Sequence, residues 1–79
     1  MDWRSRIVAD PDILVGKPVI KGTRISVELV MDLLAAGYTP DQVIERYGHL
    51  TRDDIKVCLA YAKDVVHSER VYAVNLPRR

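Results

Sequence analysis

The apolar positions change rhythm along the chain. Ile7 and Val8 can begin a short strand, Asp10-Pro11 breaks it, Ile13 to Val15 return to apolar surface, and the β-branched pair Val19 and Ile20 lies between Pro18 and Gly22. Short β-branched runs punctuated by glycine and proline predict extended structure, and the runs on either side of Lys21-Gly22 predict a small hairpin. From Ser26 the period becomes helical. Val27, Val30, Met31 and Leu34 recur at helix spacing, with Leu29 and Leu33 widening the stripe, Ser26 as cap and Gly37 as terminator. Thr39-Pro40-Asp41-Gln42 has the order of a capping box with proline at the first helical position, and predicts a second, short helix stopping at Tyr47-Gly48. Thr51 with Asp54 repeats the signal and opens a third helix to about Ser68, and Tyr38 with Val43 and Leu50 with Ile55 supply hydrophobic staples.

These elements predict a mainly α single domain: an extended β arm over residues 1–25, a three-helix helix-turn-helix core over 26–68, and a tail over 69–79. Met1 to Ser5 read as a loose end, with Trp3 packing on a partner or a neighbouring strand.

At about 100° per residue, Ile55, Cys58, Leu59, Ala62, Val65 and Val66 of the third helix share a core face. Arg52, Lys56, Lys63 and His67 share a second face, joined by Arg70 if the helix runs on, with Asp53 and Asp64 just beyond it. A basic stripe on the last helix of such a unit is a candidate for tracking phosphates, and a solvated, salt-bridged face is its plain alternative. The tail is too apolar to be a free end. Val71, Tyr72, Val74 and Leu76 precede Arg78 and Arg79, so the segment either lies on a partner or packs back on its own domain.

The stretch from Gly16 to Ile25 is the most restricted in the chain. Gly16 and Gly22 permit turns, Pro18 stiffens an extended edge, Val19, Ile20 and Ile25 are apolar, and Thr23 and Arg24 lead into the first helix. It reads as a structural or dimerisation arm. Arg24 either locks this arm to Glu28 or Asp32 or faces a partner.

At 79 residues the chain holds one core, which gains roughly 3–5 kcal/mol alone, so a partner or a dimer is expected. The net charge of +1 is distributed unevenly: five basic to three acidic residues up to Ser26, three to six up to Ala60, and four to two beyond. Any nucleic-acid role must rest on local charge. The single cysteine allows no internal disulfide, the start lacks a signal-peptide core, and no apolar run approaches the ~18 residues of a membrane span, which predicts a cytoplasmic protein. His49 and His67 offer no zinc spacing, and Cys58 on the core face has no base beside it in sequence. Pro18 breaks the resemblance of Gly16-Lys17 to a phosphate loop. No catalytic residue, metal, cofactor or small-molecule substrate is expected.

Together, GKPVIKGTRI, the helix after it, the glycine, the Thr-Pro-Asp helix start and the threonine-capped last helix resemble the domain-of-unknown-function 433 family, from about Ile7 to Ala62. That resemblance implies a homeodomain-like or winged-helix-like fold and a VapB-type antitoxin, which neutralises a PIN-like ribonuclease toxin and represses its own operon. PIN-type sites are acidic metal sites, so Tyr72, Val74, Leu76, Arg78 and Arg79 are the candidate toxin contacts. Reading a palindromic operator requires a homodimer, joined through the extended N-terminal region. A free-standing DNA-binding regulator, or an interaction module without DNA contact, are the alternatives.

Overall fold

The computed structural model describes residues 2–68. The tail residues Tyr72, Val74, Leu76, Arg78 and Arg79 lie outside the described residues, as does Arg70.

Local chemistry sets each helix start. Helix α1 spans Val27–Ala35, and the Ser26 hydroxyl accepts the Leu29 N–H at 2.9 Å. It ends where Gly37 turns to φ +104°, allowing Gly37 N–H to reach Leu34 O and Tyr38 N–H to reach Leu33 O, both at 3.0 Å. Helix α2 spans Pro40–Arg46 and begins with a complete capping box: Thr39 Oγ1 accepts Gln42 N–H at 3.1 Å and Gln42 Oε1 accepts Thr39 N–H at 2.8 Å. Helix α3 spans Arg52–Ser68 and repeats the device, with Asp54 Oδ2 accepting Thr51 N–H at 3.0 Å and Thr51 Oγ1 accepting Asp54 N–H at 3.2 Å.

The extended arm is a two-stranded antiparallel sheet. Strand β1 is Ile7–Ala9, strand β2 is Pro18–Ile20, and the register pairs Ile7 with Ile20, Val8 with Val19 and Ala9 with Pro18. This corrects the expected hairpin about Lys21-Gly22. The main partner of Val19 and Ile20 lies upstream, and the downstream run contributes one bridge, Val19 to Ser26, and the bond from Ile20 N–H to Ile25 O at 3.0 Å. Thr23 closes that turn: its hydroxyl donates to Ile20 O at 2.7 Å and accepts Ile25 N–H at 3.0 Å, while Gly22 takes φ +83°.

The β1–β2 connection contains a tight turn, Leu14–Gly16, in which all three residues have positive φ, 50°, 56° and 80°. For a β-branched residue such as Val15 this is an uncommon and strained backbone. Its side chain is 94% exposed, so none of the described residues uses it for packing.

The core lies where the arm crosses α3. Ile7, Ile20, Val30, Val43, Ile55, Val57 and Cys58 are buried together, with Val30, Val43, Val57 and Cys58 at 0% exposure. The core face of α3 therefore differs from the predicted one. Val57 belongs to it, whereas Leu59 and Val66 are 46% and 67% exposed and Val65 is 37% exposed. The arm covers the first turns of the helix, which turns the buried arc toward Asp54, Val57 and Cys58, and the last two turns extend past the core. The N-terminus is also more ordered than its composition suggests. Trp3–Ser5 form a 3-10 turn, the Trp3 ring meets Tyr61 edge to face at 4.7 Å, and its indole N–H donates to Asp64 at 2.6 Å.

Candidate nucleic-acid interface

Helix α3 is held near its start and again further along by the N-terminal segment of the chain, and this fixes which of its faces meets solvent. Asp54 combines two jobs. It completes the helix cap, and its other oxygen accepts a charge-assisted bond from the Arg6 guanidinium, just before β1. Near the far end, Trp3 grips Asp64 and Tyr61. With those contacts on one side, Arg52, Lys56, Lys63 and His67 are all exposed on the other.

From Arg52 to His67 the row covers about 22 Å of helix axis at ~1.5 Å per residue. Its electrostatics are not uniform. Arg52 is paired with Asp41 of α2, both side chains more than half exposed, which ties the first turns of the two helices together. Among the described residues no ion pair involves Lys56 or Lys63. Asp53 is exposed beside the row, whereas Asp64 is half-buried and held by Trp3. The tie holds the Asp64 carboxylate against Trp3, on the side of the helix that the N-terminal segment covers. Neither Trp3–Asp64 nor Arg6–Asp54 leaves a signal in local spacing, because the partners are 61 and 48 residues apart.

The restricted stretch contributes structure first. Val19, Ile20 and Ile25 are inside the core, Thr23 closes a turn, and Gly16 and Pro18 are half-buried; Gly22 and Arg24 reach the surface. Glu28 pairs with Lys17 at 2.8 Å rather than with Arg24. That bond draws the Glu28 carboxyl below its ordinary range and raises Lys17.

A groove opens beside the row, where α3 outruns the core. Pro18, Val27, Glu28, Tyr61, Ala62, Val65 and Val66 line a space of about 250 Å³. Across Tyr61 and Val65 it adjoins a second, more polar hollow that also involves Trp3, Arg4, Asp64 and Ser68. Cys58 contributes no chemistry to either. Burial, followed by the nearby Asp54 carboxylate, pushes its thiol up to about 12. His49 and His67 are exposed, and among the described residues no group of three or more histidine, cysteine, aspartate or glutamate side chains is placed to hold a metal ion. No helix among them is long and apolar enough to cross a membrane.

Residues 7–62, from β1 into the second half of α3, match the family described as "Protein of unknown function (DUF433)". The chain is also similar to the uncharacterized protein y4eO of Sinorhizobium fredii, at 35% identity over 60 residues. That match covers 76% of this chain and 27% of y4eO, so the chain spans about a quarter of that relative's length. No solved structure matches the chain.

Proposed function

The chain belongs to the domain-of-unknown-function 433 family, and on that footing we propose that it is a VapB-type antitoxin without enzymatic activity. In this reading α2 and α3 form a helix-turn-helix of the homeodomain-like or winged-helix-like kind. The protein represses its own operon as a homodimer, and its tail neutralises a PIN-like ribonuclease toxin in the cytoplasm.

One observation supports the DNA half: Arg52, Lys56, Lys63 and His67 are exposed along α3, on the side away from its buried residues. A helix anchored on one side and cationic on the other can lie against a phosphate backbone or enter a major groove. Tyr47 to Thr51 join α2 to α3 through a short turn, in which Leu50 is buried and so fixes the second helix against the first. The toxin half rests on the family resemblance and on the composition of the tail, in which arginines follow apolar anchors toward what would be an acidic site.

The test is fluorescence anisotropy on a duplex covering the gene's own promoter, at several salt concentrations. Each phosphate contact contributes about 0.9 to the slope of log K against log salt. The paired substitutions Lys56→Glu and Lys63→Glu should weaken binding at least tenfold and flatten that slope by nearly two. A wild-type protein that never binds this DNA, with or without the toxin, ends the repressor reading. Calorimetry of the toxin against a chain lacking 71–79 tests the other half, and unchanged affinity would end it. The second reading, an interaction module without DNA contact, is favoured if the exposed apolar groove beside α3 takes a segment of another protein.

A further inference from the structure

The groove beside α3 is apolar, open and unfilled by any described element, and the chain emerges at its rim. Val66 is 67% exposed, Ser68 follows two residues later, and eleven residues remain after Ser68. We propose that the groove is the seat of the chain's own segment Val71–Leu76, folded back along the last turns of α3.

Three observations carry the assignment. The first is reach. With two residues, 69 and 70, available for a reversal, six residues would span about 20 Å if extended, whereas Tyr61 to Val66 occupy about 7.5 Å of helix axis. The second is pattern. In an extended segment alternate side chains share a face, so Tyr72, Val74 and Leu76 form one apolar row about 13 Å long. Such a row offers apolar side chains to a lining that is itself apolar apart from Glu28, made by Pro18, Val27, Tyr61, Ala62, Val65 and Val66. The third is charge. Glu28, already paired with Lys17, is the one charged side chain in the lining and carries an exposed carboxylate that a second cation can share, and the segment is flanked by Arg70 before it and Arg78 and Arg79 after it. An own-chain occupant also needs no second molecule, since its tether holds it at high effective concentration.

This inference does not depend on the antitoxin reading. If both hold, a toxin must draw the segment out of the groove before binding it, and the groove becomes a competitor for the tail.

Methyl-labelled protein distinguishes the occupants by nuclear Overhauser contacts, without toxin or DNA. The expected result is contacts from the Tyr72 ring and the Val74 or Leu76 methyls to the methyls of Val27, Val65 or Val66. These should persist on dilution and be absent from the filtered spectrum of a mixed-label sample. Val74→Asp combined with Leu76→Asp in the full chain should abolish them and shift the Val65 and Val66 methyls. Contacts found only between differently labelled molecules give the groove to a second copy and overturn the proposal. So does a wild-type spectrum without such contacts, or one that the double substitution leaves unshifted.

Discussion

Replacing Asp54 with alanine tests the joint between the arm and the last helix. The wild-type residue is 6% exposed and uses both oxygens, one on Thr51 N–H and one on Arg6. Losing its half of the capping box costs about 1 kcal/mol. Losing the charged partner of Arg6 costs about 1.5 kcal/mol, the low end for such a bond, because the Arg6 side chain is 40% exposed and regains water. The sum is about 2.5 kcal/mol. For 79 residues, with an unfolding entropy of about 2.1 cal/mol/K each, that lowers Tm by about 15 °C. Urea unfolding followed both by helical dichroism and by Trp3 fluorescence measures the loss, and the fluorescence reports on the arm because Trp3 sits on Tyr61. Asp54→Asn keeps an acceptor for Thr51 and should lose only about 1 kcal/mol, and a cycle with Arg6→Met should show coupling of about 1 kcal/mol. A loss below 0.5 kcal/mol for Asp54→Ala, or strict additivity with Arg6→Met, refutes the reasoning.

Two further predictions concern backbone and thiol. Gly37→Ala should cost about 1 kcal/mol, although an added methyl would meet no atom within 4 Å, because φ +104° disfavours any side chain; Gly48→Ala, equally open but without positive φ, should cost nothing measurable in the same melts. The Cys58 thiol stays protonated in the fold up to about 12, while the unfolded thiol ionises near its ordinary 9, so its contribution is intact below pH 9 and declines above it. Between pH 8 and 10 wild-type stability should fall by about 1 kcal/mol more than that of Cys58→Ala, and parallel curves for the two proteins would contradict the burial argument.

The helices were legible because their boundaries are written in adjacent residues. Ser26, Thr39 with Gln42, and Thr51 with Asp54 close their first turns in the structure with the bonds that their spacing implies. The exposure of the basic row on α3 was legible too, since angular position alone separates Arg52 and Lys56 from Ile55 and Cys58. What escaped depends on distant partners. Val19 and Ile20 had an apolar run on either side, and proximity favoured the nearer one, yet Ile7–Ala9 supplies the paired strand. Helical periodicity put Leu59 in the apolar stripe and left Val57 on the opposite side, because which side is buried is decided by the N-terminal arm, whose Arg6 meets Asp54 and whose Trp3 meets Tyr61 and Asp64, and not by the helix's own pattern. Trp3 and Asp64 carry no mutual signal at a separation of 61 residues.

That separation also orders events in time. A two-stranded ribbon of three-residue strands has little stability of its own, and closing a loop of this length must precede any benefit from the Trp3 and Arg6 contacts. During synthesis, β2 can meet α1 early, whereas Ile7 and the rest of β1 stay without the α3 surface they pack on until that helix has emerged. Strand β1 is thus among the last described parts to find its place, so the vulnerable interval of its folding is governed by how soon α3 is complete.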